Sequence, residues 1–448
     1  MKILGIETSC DETAASVVED GKKILSNVVV SQIDIFSAYG GVIPEVAARS
    51  HLEVILPVID KSLSDANLTW DNIDAIAVTH TPGLLGSLLI GTLTARTLAI
   101  LHSKPLYPVH HLKSHIYANW IEKSGIKGQI RGETTSTRGF PEVTTEEKTP
   151  KPRNDGREGR RSPEEVVSAS ELMEKSVPSF PLLAMVISGG HTQILYMKRH
   201  NHFEIIGTTH DDAIGECFDK VAKILGLPYP GGPSISNSAK LGDKTKYKLP
   251  HPKVENLDFS FSGLKTAVLR AVQKDLGLPI SHPSHDLKNH LTKQQVADFS
   301  ASFEKTAVDI LLEKISLALN EHPDVKSIVF AGGVSANELL RKKALLHFSK
   351  PATIRGETTS TRGFPKVTTE EKTPKPRNDG REGRRSPEEV VSASEFTLQK
   401  NIGVFFPEKS LSGDNGAMVA SACFYEIESG VKPADPYKIN ILPRSEIK

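Results

Sequence analysis

Leu182-Leu183-Ala184-Met185-Val186-Ile187-Ser188-Gly189-Gly190-His191, running on into Gln193 to Met197, is the stretch that decides the fold. It reads as a fully apolar strand, a glycine turn and a second strand. The same design opens the chain, because Ile3-Leu4-Gly5-Ile6 is apolar, Thr8 to Asp11 is turn-like and Ala14 to Val18 is apolar again. Two hairpin-led halves emerge. Apolar residues at helical spacing predict helices over Pro44 to Asp60, Gly83 to His102, Ala213 to Leu225, Gly263 to Leu276, Lys293 to Asn320 and Asn337 to Phe348, with short strands at Ile73 to Val78 and Ser327 to Phe330. Alternating strands and helices indicate an α/β class. Glycine-rich turns at Ser188-Gly189-Gly190-His191 and Ala331-Gly332-Gly333-Val334-Ser335 aim backbone N–H groups at one point, which suits a phosphate or carboxylate and, in several copies, a nucleotide.

At 448 residues the chain is long enough for two or three domains. Its 55 Lys and Arg against 54 Asp and Glu give a net charge of +1, which excludes a wholly basic, nucleic-acid-coating chain but leaves room for a local basic face. Cys10, Cys217 and Cys423 are too few and too scattered for a disulfide framework or a four-thiolate zinc site, and fit a reducing compartment, with cytoplasm the default. Glu7 interrupts the N-terminus too early for a signal peptide, so no export is expected. The most apolar window, Leu84 to Leu101, is broken by Ser87, Gly91, Thr92, Thr94 and Arg96; it falls short of a membrane span and reads as a buried helix.

Residues 130–171 and 354–395 match across 42 positions with one difference, Glu142 against Lys366. Such likeness marks recent copying, not a duplicated folding unit. Each copy holds few apolar residues and cannot offset its ordering entropy by burial, so both are expected to be disordered, solvated insertions in a 364-residue host. The expected organisation is lobe I over 1–129, the first insertion over 130–171, lobe II over 172–353, the second insertion over 354–395, and a C-terminal part over 396–448 that closes on lobe I.

His110-His111-Leu112-Lys113-Ser114-His115 carries the sharpest chemistry. His111 and His115 are four apart, so on a helix they face the same way and present two imidazoles to one cation. A zinc-protease reading fails, because that motif places a glutamate base directly after the first histidine and here position 112 is Leu. A candidate third ligand is Asp414, in a turn before the apolar helix Ala417 to Tyr425; the local sequence equally permits it to be that helix's N-cap.

Along nearly all of the host, the chain resembles the bacterial tRNA N6-adenosine threonylcarbamoyltransferase family. The resemblance rests on Gly5-Ile6-Glu7-Thr8-Ser9-Cys10-Asp11-Glu12-Thr13, Gly40 to Glu45, Pro82-Gly83-Leu84-Leu85-Gly86-Ser87-Leu88, His110-His111 with His115, Ser188-Gly189-Gly190-His191-Thr192-Gln193, Phe218-Asp219-Lys220, Tyr229 to Pro233, Phe259 to Lys265, Ala331 to Asn337 and Asp414-Asn415. It implies the two-lobed fold of actin, sugar kinases and heat-shock ATPases, with a central cleft. It implies a divalent metal, Fe²⁺ or Zn²⁺, on His111, His115 and Asp414, and substrate contacts at Val186, Ile187, Ser188, Gly189, Gly190, Asp219, Gly232 and Asn337. Three positions depart from the family's pattern, Lys113, Ser114 and Gly413; none of them is a ligand.

The activity implied is transfer of the threonylcarbamoyl group from L-threonylcarbamoyladenylate to N6 of adenosine 37 in tRNAs reading codons that begin with A, releasing AMP. The partners implied are the tRNA anticodon loop, a pseudo-enzyme paralogue and a small ATPase, with no membrane. Arg96, Lys113, Lys265 and Arg341-Lys342-Lys343 are candidates for a basic rim. Two other readings are an insertion-inactivated or nonenzymatic nucleotide-binding scaffold, and a small-molecule kinase of the same fold; the histidine pair opposes the kinase because Mg²⁺ prefers oxygen ligands.

Overall fold

The N-terminal hairpin forms as the sequence predicts, with β1 (Lys2–Glu7) antiparallel to β2 (Glu12–Glu19), which pairs in turn with β3 (Lys23–Ser31). The computed structural model describes residues 1–122, 177–252, 254–349, 402–444 and 447; both copies of the 42-residue repeat lie outside the described residues. After the short α1 (Ile33–Ser37) and the long α2 (Pro44–Asp65), strand β4 (Ala75–Thr81) returns parallel to β1. Helix α3 (Leu85–Leu101) leads to β5 (Leu106–His110), parallel to β4, and α4 (His111–Tyr117) follows without a break.

The second half repeats this plan. Strand β6 (Leu182–Ile187) pairs antiparallel with β7 (Thr192–Arg199), and β7 with β8 (His202–Thr208). Helices α5 (Ile214–Leu225), α6 (Gly231–Ala239), α7 (Ser262–Asp275) and α8 (Lys293–Glu321) come next. Strand β9 (Ser327–Ala331), helix α9 (Glu338–Phe348) and strand β10 (Gly403–Phe405) complete it, with β9 parallel to β6 and β10 parallel to β9. The sheets run β3-β2-β1-β4-β5 and β8-β7-β6-β9-β10, the same order twice. This is the two-lobed, actin-like α/β arrangement.

Helix α10 (Gly416–Glu428) returns to lobe I, where it packs on β1, β2 and α4. Its residues Ala417 to Ala420, Ala422 and Cys423 belong to one buried apolar cluster with Ile3 and Ala77 of the first sheet, Leu112 and Ile116 of α4, and Leu182, Val186 and Val329 of the second sheet. Burial of that many side chains, each worth about 1.5–3 kcal/mol when fully covered, holds α4 and α10 between the lobes. A second cluster, around Leu4, Ile6, Val17, Ile55, Ile59, Val78 and Ala95, fills the other face of the first sheet beneath α2 and α3.

One expectation is corrected. Helix α3 is not buried all round: Leu88, Gly91, Thr92, Ala95 and Ala99 face inward, while Leu85 is 59 % exposed, Leu89 40 % and Leu93 43 %. The helix packs on α2 and on the first sheet at β4, β5 and β1, and among the described residues its opposite side is left apolar and open. Among the described residues no helix is long and apolar enough to cross a membrane.

Candidate metal centre

Strand β5 ends at His110, and α4 begins at His111, so the first metal-type histidine sits at the junction and the second one turn later. The two rings lie edge to face, with centroids 4.6 Å apart. Asp414 comes from about 300 residues further along the chain. Its Oδ1 lies 3.1 Å from Nε2 of His115 and 3.6 Å from Nε2 of His111. The structure therefore brings all three predicted ligands to one point.

Asp414 is not the cap of the helix behind it. Asn415 holds that place, its side-chain oxygen accepting from the backbone N–H of Met418 at 2.9 Å, while its amide donates to the carbonyls of Leu411 and Gly413. With the N-terminal donor satisfied by Asn415, the Asp414 carboxylate is released toward the histidines. Gly5 makes this close approach possible: a Cβ there would fall 2.2 Å from the Gly416 carbonyl.

Behind His111 stands a buried carboxylate. Nδ1 of His111 is 3.1 Å from Oε2 of Glu7 and 3.2 Å from the hydroxyl of Ser9. Thr79 donates its hydroxyl to Glu7 Oε2 at 2.6 Å, fixing the carboxylate in turn. A histidine whose Nδ1 faces a carboxylate keeps Nε2 for a cation, the usual arrangement behind metal-bound imidazoles. Sequence reasoning gave Glu7 no part in the site; a carboxylate closing the apolar strand Ile3 to Ile6 was the available signal.

The donor set fits a divalent cation of the zinc and iron class. Among the described residues buried Nδ1 of His115 has no hydrogen-bond partner, and its Nε2 faces only the Asp414 carboxylate, at 3.1 Å. Buried polar atoms without partners are costly, and a cation on Nε2 removes that cost. The electrostatics agree. Burial alone would lower the His111 imidazole, but Asp414 and Glu7 outweigh it and raise it to about 9. Burial would raise the Asp414 carboxyl, yet His111 and His115 hold it down at about 2. The pocket is thus built for one additional positive charge. His191 of the second lobe feels the same field: burial first, then His111 and His115, push it down to about 4.

The predicted substrate residues divide into three groups. Val186 and Ile187 are fully buried in β6, paired with β7 and β9, so their side chains belong to the core. Ser188, Gly189 and Gly190 form the open turn after them, with the Ser188 hydroxyl accepting from His191 N–H at 3.1 Å and open space above both glycines. Asp219, Gly232 and Asn337 gather elsewhere on the second lobe. Oδ1 of Asp219 accepts from Gly231 N–H at 2.7 Å at the start of α6, and burial pushes its carboxyl up to about 6. Asn337 caps α9 through Leu340 N–H and donates to Ser236 at 3.1 Å and to Glu304 at 2.8 Å. A cavity of about 580 Å³ between the lobes is lined by Pro82, Gly83, Leu112, His191, Gln193 and Arg444, among others.

Most of the basic-rim candidates are occupied. Arg341 donates to the carbonyls of Ser335 and Pro407 and to Ser412, Lys265 pairs with Asp212 at 3.3 Å, and Lys343 pairs with Asp309. Lys113 stands over the ring of Phe203.

The model of the tRNA N6-adenosine threonylcarbamoyltransferase family matches residues 23–129 and 165–354. A relative of that name from Caldicellulosiruptor bescii is 36 % identical over 443 residues, covering 99 % of this chain and 97 % of its own. One from Bacillus cereus is 41 % identical over 430 residues, covering 96 % and 92 %. One from Symbiobacterium thermophilum is 42 % identical over 342 residues, covering 76 % and 81 %. Among solved structures, the activator of the 2-hydroxyisocaproyl-CoA dehydratase from Clostridium difficile aligns with 97 % of this chain and 100 % of its own, at 11 % identity and a TM-score of 0.40. On the family match and these full-length relatives, the chain belongs to the tRNA N6-adenosine threonylcarbamoyltransferase family.

Proposed function

We propose that this transferase moves the threonylcarbamoyl group from L-threonylcarbamoyladenylate to N6 of adenosine 37 at a centre held by His111, His115 and Asp414, with AMP as the other product. The observation that carries this reading is the meeting of two imidazole Nε2 atoms and one carboxylate oxygen within 4.8 Å of one another. A divalent ion there, Fe²⁺ or Zn²⁺, supplies Lewis acidity to the acyl carbonyl or the departing phosphate.

The chain's own residues do the rest. Glu7 and Ser9 orient the His111 ring from behind. Gly189 and Gly190 offer backbone N–H groups to the acyl-phosphate, Ser188 N–H being spent on the His191 carbonyl, and among the described residues the Cβ side of both glycines is open. Asp219 accepts from a ribose or threonine hydroxyl, and Gly232 and Asn337 bound the adenylate. Arg444, at the rim of the cavity between the lobes, is placed to meet a phosphate. N6 of adenosine 37 is a weak nucleophile, so holding it against a polarised carbonyl supplies much of the acceleration. The anticodon loop suits this, since its bases leave the stack without opening a duplex.

The reading extends to organisation and partners. Lobe I spans 1–129, lobe II 172–353 and the C-terminal part 396–448, with 130–171 and 354–395 as solvated insertions. A pseudo-enzyme paralogue docks on the apolar side of α2 and α3, where Leu52, Leu56, Leu85 and Leu89 are exposed, and a small ATPase joins them. The reaction belongs in the cytoplasm, with its tRNA substrate. The test is to supply the adenylate, tRNA and both partners and to look by mass spectrometry for modified adenosine 37. Product from the wild type and none from His111→Ala supports the reading; equal product from both overturns the metal centre.

A further inference from the structure

The donor set of the metal centre recurs at one other place among the described residues, far from it in sequence. The loop joining α7 to α8 reads His282-Pro283-Ser284-His285-Asp286-Leu287-Lys288-Asn289-His290. Nε2 of His282 and Nε2 of His290 each lie 3.0 Å from the same atom, Oδ2 of Asp286. Their rings stand nearly perpendicular, 5.6 Å apart. An ion bound tetrahedrally at about 2.0–2.1 Å sets its donors roughly 3.3 Å apart, so each imidazole need part from the carboxylate oxygen by only a few tenths of an ångström to admit one, and all three donors already lie within 4.8 Å of one another. All three are partly exposed, and an ion reaches them from solvent.

The site is supported from behind. Oδ1 of Asp286 accepts from the Asn289 amide at 2.8 Å, which orients the carboxylate. Buried Gln273 donates to the carbonyls of Ile280 and His282, and Arg270 donates to Ile280 and to Gln273, so the near end of the loop is tied to α7. Leu287 is fully buried, and the stem of Lys288 lies over Gly226, the left-handed residue that ends α5. Two imidazoles with one carboxylate suit zinc and similar transition metals, whereas Mg²⁺ and Ca²⁺ take oxygen ligands.

We propose that His282, Asp286 and His290 form a second divalent-cation site, of the zinc class, that fixes the α7–α8 loop in the form in which Leu287 is buried and Lys288 lies over Gly226 at the end of α5. Helix α5 carries Asp219, so the clamp braces one wall of the substrate side of lobe II without taking part in the chemistry.

The test is a zinc titration of the full-length protein, stripped with a chelator and monitored by competition with a chromophoric chelator. The wild type takes up two equivalents of Zn²⁺, and His111→Ala retains one. His290→Ala and the more conservative Asp286→Asn each retain one, and His111→Ala combined with His290→Ala retains none. Circular dichroism confirms that each variant is folded. If folded His111→Ala takes up no zinc, or its single equivalent survives His290→Ala and Asp286→Asn alike, the second site is overturned. If the wild type instead takes up one equivalent that His290→Ala abolishes, the loop site stands and the His111 centre fails, so the two outcomes remain distinct.

Discussion

Oε2 of Glu7 lies 3.1 Å from Nδ1 of His111, deep beneath the ligand face of the metal centre. The strand that opens the chain thus reaches the imidazole that β5 delivers. Glu7→Gln keeps the shape and removes the charge, leaving the ring less basic. Metal affinity is expected to fall about 10–100-fold with the fold intact, read by chelator competition and circular dichroism. Unchanged affinity would separate Glu7 from the centre.

Gly5 and Gly416 are the paired gaps that let α10 lie on β1. A Cβ on Gly5 would meet the Gly416 carbonyl at 2.2 Å and the Ala420 N–H nitrogen at 2.7 Å, all of it backbone. Gly5→Ala must push α10 away and carry Asp414 with it. A loss of about 1–3 kcal/mol in urea denaturation, with weaker metal binding, is expected.

Asn337 already spends its side chain on the fold, capping α9 and bonding Ser236 and Glu304. Asn337→Ala should therefore cost about 1 kcal/mol of stability whatever its part in binding the adenylate. A KM for the adenylate that rises while kcat holds would add the substrate role; a change in stability alone would leave only the cap.

Burial raises the Glu426 carboxyl from its ordinary 4.5 to about 7, with Lys113 opposing in part. An acid raised in the folded state binds its proton more tightly there than in the unfolded chain. The folded protein therefore loses stability as pH climbs from 4.5 through about 7, and the penalty is complete above that. Glu426→Gln should stabilise by about 1–3 kcal/mol near pH 8 and change little near pH 4.5, as measured by chemical denaturation at the two values.

The apolar side of α2 and α3 gives a prediction about association. Leu56→Glu and Leu89→Glu place charges at positions 56 % and 40 % exposed, so neither should disturb the core. Binding of the paralogue, followed by titration calorimetry, should weaken at least about tenfold, while metal content stays constant.

Much of the scaffold was readable from apolar periodicity. Strand β6 occupies Leu182–Ile187, and helix α8 runs Lys293–Glu321 where the pattern predicted Lys293 to Asn320. Other parts were not legible, for physical reasons. Helix α6, Gly-Gly-Pro-Ser-Ile-Ser-Asn-Ser-Ala, shows no helical apolar spacing and predicts no element; its first N–H is satisfied by the Asp219 carboxylate, from another element. The same limit applied at Asp414, whose neighbour Asn415 takes the cap, a choice the two adjacent residue types do not reveal. The partial exposure of α3 was hidden because hydrophobicity records what a helix is able to bury, not what is there to cover it.

Placing the third ligand at the head of a helix that returns to the first sheet has a temporal consequence. During synthesis His111 and His115 leave the ribosome about 300 residues ahead of Asp414. A nascent chain can fold its first hairpin and α4, yet the three proposed ligands meet only once Asp414 has emerged as well.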